Sequence, residues 1–400
     1  MTWPTVPLRR IVTCLDGRRV PLNSAQRAEM KGSVPYWGAG GVLDFVDQAI
    51  FNEPLILLKE DGSPFFIPEK GVSYYVEGPS WINNHIHALR ATGADGRFLA
   101  YALNCVDYAN YLTGSTRDKL TQEDLKKIEI WQPPLKEQRR IVDFLDAETT
   151  RIDRLGQKLR QQVSLLEMRR QIQITHAVRG SDSDVQRPLH AVAEVILGRQ
   201  RAPQHADGPH IVPYLRAANV KDGRLDLSDV MAMNFTPAEQ RTFTLQPGDV
   251  LVTEGSGSIK AVGAAAVWSG EMVGTVCFQN TLLRIRPRQG LADGNFLEWW
   301  ARSAFAAGEF ASIATGANIY HLSAERVRSL RTRFPSLDEQ RRIAAHLAKE
   351  TRKVDRLIAI RGRQVELLTE RRQALITAAV TGQFDVSTAS GRNVTDGVHA

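Results

Sequence analysis

The residues best equipped for chemistry in this 400-residue chain sit in glycine-flanked polar turns that follow apolar runs. Lys59-Glu60-Asp61-Gly62-Ser63 follows one such run, and Glu254-Gly255-Ser256-Gly257-Ser258-Ile259-Lys260 follows another. Backbone amides and small hydroxyls in turns of this kind can approach phosphates closely, although a plain hairpin turn has the same composition. A second set carries donor and acceptor patterns suited to base edges: Tyr36-Trp37, Asn83-Asn84-His85, Tyr214-Leu215-Arg216, Asn219, Gln279-Asn280 and Asn318-Ile319-Tyr320-His321. Asn and Gln can bond adenine bidentately, and Arg can do the same to guanine. Each of these residue types serves equally well as a satisfied framework group. Arg284, Arg286 and Arg288 alternate along one apolar stretch and could follow a phosphate backbone or face solvent as an ordinary strand. His85 and His87 share one strand face and are read as a polar pair or nucleic-acid contacts; a metal pair would lack a third ligand.

The tools of an enzyme are missing. No GxxxxGK[ST] phosphate loop occurs, and Gly255-Ser256-Gly257 has no third glycine at dinucleotide spacing. Trp131-Gln132-Pro133-Pro134-Leu135 has the Pro-Pro core of amino-methyltransferase motifs without the preceding Asp or Asn or the following aromatic. A joint between a globular part and a helix explains it better, because proline suits a helix start and not its interior. No carboxylate spacing marks a nuclease.

The elements that must position these residues come from a duplication. Pro133–Gly180 lies on Pro335–Gly382 at a constant offset of 202, with 25 of 48 positions identical. Glu137-Gln138-Arg139-Arg140-Ile141 returns as Glu339-Gln340-Arg341-Arg342-Ile343. Proline is absent from 135 to 187 and beyond 335, and apolar residues recur at spacings of three and four (Ile141, Leu145, Ile152, Leu155, Leu159, Leu166; Ile343, Leu347, Val354, Leu357, Leu368, Leu375). That predicts two long helices with a coiled-coil seam, packed antiparallel on each other. The parts before them correspond more loosely: Pro7-Leu8 with Pro188-Leu189, Gly17-Arg18 with Gly198-Arg199, Asn84 and Arg90 with Asn280 and Arg286, Phe98-Leu99 with Phe296-Leu297. Short strands broken by Gly and Pro dominate each part, with one helix near its end.

The expected organisation is therefore mixed α/β: a globular α+β part over 1–134, a helix over 135–180, a second globular part over 181–335, a second helix over 336–382, and a disordered tail over 383–400. The net charge is +7, but the excess is local. Residues 136–180 and 338–382 each carry 10 basic and 6 acidic side chains, while 1–135 carries 14 and 15, and 181–337 carries 16 and 15. Three scattered cysteines with no CxxC spacing argue against disulfides and zinc. No signal peptide or membrane span is expected, which points to the cytoplasm.

The repeated arrangement of polar turn, proline joint, Glu-Gln-Arg-Arg-Ile and long helix resembles the specificity subunit of type I restriction–modification enzymes. Pro35-Tyr36-Trp37-Gly38, Glu60-Asp61-Gly62, Asn83-Asn84-His85-Ile86-His87, Tyr214-Leu215-Arg216 with Asn219-Val220, Gly248-Asp249-Val250-Leu251 and Cys277-Phe278-Gln279-Asn280 are similar to that family as well. The resemblance covers about residues 1–382. It implies a non-catalytic chain with two target-recognition domains, each reading half of a split DNA sequence, and a helical spacer between them. Two modification subunits, which bind S-adenosylmethionine and methylate adenine, would dock on the repeats, and restriction subunits using ATP and Mg would join them. The expected DNA contacts are Arg18, Tyr36, Trp37, Lys59, Asp61, Asn83, Asn84, His85, Arg199, Tyr214, Arg216, Asn219, Glu254, Ser256, Ser258, Lys260, Gln279, Asn280, Asn318 and Tyr320. The expected partner contacts are Glu137, Gln138, Arg139, Arg140, Glu339, Gln340, Arg341 and Arg342, whose near identity in the two copies suits a shared protein better than two different half-sites. A coiled-coil scaffold that binds only proteins is the competing reading.

Overall fold

Leu55–Lys59 and Val250–Thr253 are apolar without alternation, the pattern of a strand covered on both faces. Both are central strands in which every residue is buried. The computed structural model describes residues 3–61, 65, 71–113, 118–180, 185–201 and 206–387. It divides into two units, Met1–Arg160 with Gly362–Ala400, and Gln161–Arg361. Each unit therefore takes in part of both long helices, which run over Leu135–Val178 and Leu337–Thr381.

In the first unit, an antiparallel sheet orders Val12–Cys14, Ile86–Ala91, Leu55–Lys59 and Ser73–Val76. A second sheet orders Gly41–Val46, Lys31–Gly38, Pro79–Ile82 and Phe51–Asn52, with Tyr36 and Trp81 in parallel register. Asp95 starts the helix Gly96–Leu103 by accepting from the amides of Arg97 and Phe98, and the helix then buries Phe98, Leu99 and Leu103. The chain closes on itself where Thr5–Pro7 pairs with Glu129–Trp131.

The second unit repeats this plan. Its main sheet orders Ala193–Leu197, Leu282–Pro287, Val250–Thr253 and Ala265–Val267. Its smaller sheet holds Met231–Asn234, Ile211–Leu215 and Cys277–Phe278, with Tyr214 and Cys277 in parallel register. Asp293 caps the helix Gly294–Ala306. Even single bonds recur: Leu8 N donates to Ile128 O at 2.8 Å, and Leu189 N donates to Leu330 O at 2.9 Å. The loose correspondence visible in the sequence is thus a shared backbone framework.

The helices pack antiparallel within each unit. In the first, Phe144 stacks on Phe384 at 5.6 Å, and Asp153, further along, meets Arg372 at 3.1 Å. In the second, Arg170 pairs with Asp355, Leu165 and Leu166 line a groove with Leu357 and Arg361, and Ile172 and His176 line another with His346 and Glu350. Ile141, Leu145 and Ile152 sink into the core of the first unit with Leu375 and Val380, and Leu347 sinks into that of the second. The predicted seam is uneven. Leu155 and Leu357, placed inward by spacing, are 48% and 44% exposed, although Ile152, Leu159 and Val354 beside them are buried. The expected disordered tail needs correction at its start. Phe384 packs on Phe144 and Val386 is buried, since the last helical turn brings both onto the core. Residues 388–400 lie outside the described residues.

Candidate nucleic-acid interface

Both polar turns are held by the same backbone bonds. In the first unit, Glu60 N donates to His85 O at 3.1 Å, Glu60 O accepts from Leu120 N at 2.8 Å, and Asn83 N donates to Trp37 O at 3.0 Å. In the second, Glu254 N donates to Thr281 O at 2.9 Å, Glu254 O accepts from Leu322 N at 2.8 Å, and Gln279 N donates to Leu215 O at 2.9 Å. Three chain segments meet at each tip: the turn after the central strand, the turn before its neighbour, and the loop repeated at offset 202. Main-chain groups make these bonds, so side chains at the tip are free to differ.

They do differ. In the first unit, Asp16, Glu60 and His87 bring their ligand atoms within 4.8 Å of one another. That donor set could suit a divalent ion, but each donor on Asp16 and His87 is already engaged. Asp16 Oδ2 takes His87 Nδ1 at 2.6 Å and Gln122 Nε2 at 2.9 Å, and its Oδ1 takes Ala88 N at 2.9 Å. His87 Nε2 donates to Leu120 O at 2.9 Å. Both ring nitrogens face oxygen acceptors, which calls for a proton on each. Arg19 bridges Asp16 at 3.3 Å and Glu60 at 2.7 Å, and Lys119 reaches Glu60 at 3.2 Å. The cluster neutralises itself with cations of the chain. Burial pushes the Asp16 carboxyl up, but the hydrogen bond and charge of His87, with Ala88 N and Arg19, outweigh it and bring the group to about 2. The second unit has a simpler tip. Glu254 meets His321 at 3.1 Å, and Leu283 occupies the register position that His87 holds in the first.

Several expected contacts face outward. Asn84, His85, Ser258 and Asn318 are exposed, with Arg18 also at the surface. His85 pairs with Asp61 at 2.5 Å; Arg18 pairs with Glu53 at 2.8 Å and lies 4.3 Å over Phe51. Trp37, Asp61, Arg216, Glu254, Ser256, Gln279, Asn280 and Tyr320 are half-buried at the rim. Ser256 pairs with Tyr320 and its Oγ accepts from Ser258 N at 3.1 Å, so that the two turns of the second tip form one surface. The loop behind Tyr320 closes through reciprocal Thr315 and His321 backbone bonds of 3.0 and 2.7 Å. Gly316 is required there: φ is +122°, and a Cβ would lie 1.9 Å from Ile319 O. Gly62, Ser63, Gly114 and the side chain of Lys260 lie outside the described residues.

Six expected DNA contacts are instead framework, and each has a physical reason. Tyr36 is buried with its hydroxyl on Leu22 N at 2.9 Å. Lys59 is buried in the central strand. Asn83 is buried and accepts from His85 N at 2.8 Å, which shapes the turn that exposes Asn84. Arg199 is buried against Glu239 at 2.7 Å and Asn234 O at 2.8 Å. Tyr214 is buried beside Phe235. Asn219 donates to Asp226 O and Asp229 O, both at 2.9 Å, and so ties down its loop. Two of the three alternating arginines are framework too, and Arg288 is exposed. Arg284 is 2% exposed, bonded to Thr242 O at 2.9 Å and Glu194 at 2.7 Å, and Arg286 pairs with Asp249 at 2.6 Å.

Two expected partner contacts are corrected as well. Gln138 and Gln340 have no exposed surface. Gln138 accepts from Asp95 N at 2.8 Å and donates to Pro133 O at 2.8 Å; Gln340 accepts from Asp293 N at 2.9 Å and donates to Pro335 O at 3.0 Å. A side-chain amide with no exposed surface, bonded to the main chain through both its carbonyl and its amino group, has no face left for a partner. Arg139, Arg140, Arg341 and Arg342 remain exposed, and Glu137 and Glu339 pair with Arg140 and Arg342. The sequence does hold a signal for the glutamines: Asp95-Gly96 and Asp293-Gly294 stand in the same place before Phe98-Leu99 and Phe296-Leu297. Arg19 and Lys119 were missed, although Lys119 stands at offset 202 from His321, which the polar cluster Asn318-Ile319-Tyr320-His321 includes.

Comparison with known proteins bears on what this duplicated surface is. Residues 1–165 match the family described as Type I restriction modification DNA specificity domain. A putative type I restriction enzyme specificity subunit of Haemophilus influenzae is 33% identical over 144 residues, 36% of each chain. The EcoKI specificity subunit of Escherichia coli is 25% identical over 206 residues, 47% of this chain and 44% of that one. The StySPI specificity subunit of Salmonella potsdam is 26% identical over 201 residues, 49% of this chain and 42% of that one. The chain thus matches less than half the length of each of these relatives. Among solved structures, a chain from work on complex assembly and conformational transition of a type I R-M system superposes with a TM-score of 0.72, at 18% identity over 96% of this chain and 98% of that one. The HsdS subunit of Thermoanaerobacter tengcongensis gives a TM-score of 0.51, at 18% identity over 96% and 97%. At that identity the likeness is one of fold: mixed α/β with two long helices. The chain is thus similar to type I restriction enzyme specificity subunits over less than half of its length, and residues 1–165 match the DNA specificity domain of type I restriction–modification.

Proposed function

We propose that this chain is a non-catalytic DNA-recognition subunit of a cytoplasmic type I restriction–modification complex, and that it reads a bipartite site. The observation that carries the reading is the pair of tips: one main-chain framework, with Asn84, His85 and Asp61 on the first and Asn280, Gln279, Ser256, Ser258 and Asn318 on the second. Different donors and acceptors on one framework are what two different half-sites require.

The helices supply the surface for the rest of the complex. Leu165, Met168 and Ile172 recur at spacings of three and four on one helix and are all exposed. They and the exposed arginines of the repeated boxes offer docking faces for two adenine methyltransferase subunits, with restriction subunits joining them. S-adenosylmethionine, ATP and Mg belong to those partners on this reading.

The test is to determine the methylated sequence of the assembled enzyme with Asn84→Ala or Asn280→Ala in this chain. Each should relax one half-site only, by about 1–3 kcal/mol for a base-contacting residue. Relaxation of both halves by either change would defeat the division of labour. A chain that binds its protein partners yet retains no DNA at any salt concentration would be a scaffold instead.

A further inference from the structure

We infer that Arg19 is a positioning residue of the first tip: it holds the turn that presents Asn84 and His85, and so sets the base discrimination of that half-site alone. The inference rests on the DNA-recognition reading above and deepens it. The Nε of Arg19 donates to Asp16 O at 3.1 Å, and its Nη1 donates to Glu60 Oε2 at 2.7 Å and to Ile86 O at 2.9 Å. Asn84 O lies 3.4 Å from the same Nη1, and Asp16 Oδ2 lies 3.3 Å from Nη2. Asn84 and Ile86 flank His85, so one guanidinium grips the turn by the carbonyls on either side of the histidine. Asn83 shapes the same turn from within, by accepting from His85 N at 2.8 Å. The third segment at the tip is reached through Glu60, whose other oxygen pairs with Lys119 at 3.2 Å. The Arg19 side chain is only 11% exposed, and so it acts through the turn rather than at a base.

The shape of the group matters as much as its charge. A guanidinium carries its N–H donors in a rigid planar fork, whereas an ammonium is a compact point charge. Lysine could keep a cation beside Asp16 and Glu60, but it could not span Asp16 O on one side and Glu60 with Ile86 O on the other. Charge compensation and positioning are therefore separable at this residue. The second tip solves the same problem with the main chain. Ile86 pairs with Lys59 at the end of one central strand, and Leu282 pairs with Thr253 at the end of the other. Leu282 O accepts from Gly198 N at 3.1 Å, and Asn280 N donates to Arg199 O at 2.9 Å. Matching Gly17-Arg18 with Gly198-Arg199 puts Gln200 in the place of Arg19, and Gln200 is exposed. A side chain thus holds in the first tip what a backbone amide holds in the second, and only the first hold can be removed by changing a side chain.

The experiment uses the full chain in its assembled complex. Duplexes differ from the selected site by one base pair at a time, and the methylation rate of each gives the discrimination at every position of both half-sites. The variants are Arg19→Met, which removes the fork and the charge, Arg19→Lys, which keeps the charge alone, and Gln200→Met as the counterpart in the second unit. Arg19→Met should lower discrimination in the first half about tenfold and leave the second half unchanged. Arg19→Lys should lower it nearly as much, and Gln200→Met should change neither half. Full discrimination in Arg19→Lys would overturn the inference, because charge would then suffice. So would a uniform loss of rate on all duplexes with base preference intact, equal relaxation of both halves, or a first unit that unfolds in both Arg19 variants. A wild-type complex with no base preference in the first half would instead overturn the DNA reading on which this rests.

Discussion

The two tips share a backbone and differ in what holds their side chains in place. In the first, Asp16, Arg19, His87, Glu60 and Lys119 form a largely buried ionic cluster behind the turn. In the second, among the described residues, Glu254 pairs with the more exposed His321, and Leu283 fills the register position of His87. Buried and half-buried arginines of the second unit pair elsewhere, Arg199 with Glu239 where its backbone bridges to Gln279, and Arg284 with Glu194 and Arg286 with Asp249 along the main sheet. Main-chain bonds at the ends of the central strands therefore suffice to build the framework. The charges behind them are particular to each half, which lets each surface vary without loss of fold.

The largest effect should come from breaking the first cluster. Asp16→Ala strips His87, Arg19, Gln122 and the Ala88 amide of their shared buried acceptor, and removing one partner of a buried ionic group typically costs about 3–5 kcal/mol. Chemical denaturation followed by a probe in each unit should show the first unfolding earlier and the second unchanged. Equal shifts in both would show that the units do not unfold separately and that the contrast drawn here is not energetic.

Acid should separate the units next. The Asp16 carboxyl lies near 2 in the fold, against about 3.9 in an unfolded chain. A depressed carboxyl contributes stability that is complete above the unfolded value and lost as pH falls toward the folded one, on the order of 2–3 kcal/mol for such a shift. Glu298 of the second unit is raised by burial, so its contribution runs the other way and is already complete once pH falls to the ordinary carboxylate range, leaving no acid loss from this group below about pH 4. Between about pH 4 and 2, the first unit should thus weaken more than the second in a pH series of melts. A parallel decline of both would mean that these two groups do not dominate their acid response.

The smallest effect is expected at the second tip. His321→Ala removes one side of a pair whose histidine side chain is 55% exposed, and exposed ion pairs are worth about 0.2–1 kcal/mol. The melting temperature should barely move. A loss of several kcal/mol would mean that His321 supports the Thr315–His321 loop as strongly as the buried cluster supports the first tip.

Much of this was legible before any coordinates. The offset of 202, the proline-free stretches and the three-and-four spacing predicted two helices, and both are present over Leu135–Val178 and Leu337–Thr381. The matches of Pro7-Leu8 with Pro188-Leu189 and of Arg90 with Arg286 predicted one framework used twice. The candidate surface was legible only in part. Asn83 and Asn84 are adjacent and identical in type, yet Asn83 is buried in the bond that shapes the turn and Asn84 faces out. Tyr36 and Tyr214 have the composition of base-stacking residues and turned out to fill the small sheets of their units.

By itself, the sequence determined the duplication, the helices and the chain positions of the two polar turns, because offset, periodicity and glycine placement are local properties that no packing can alter. Only the tertiary structure decided that Gln138 and Gln340 are inside, that Arg284 is a core residue, and that Asp16 meets His87 from 71 positions away. Burial of a polar group depends on whether distant segments deliver its partners. Gln138 can be buried only because Asp95 N and Pro133 O arrive together at its amide, and that arrival is a property of the fold.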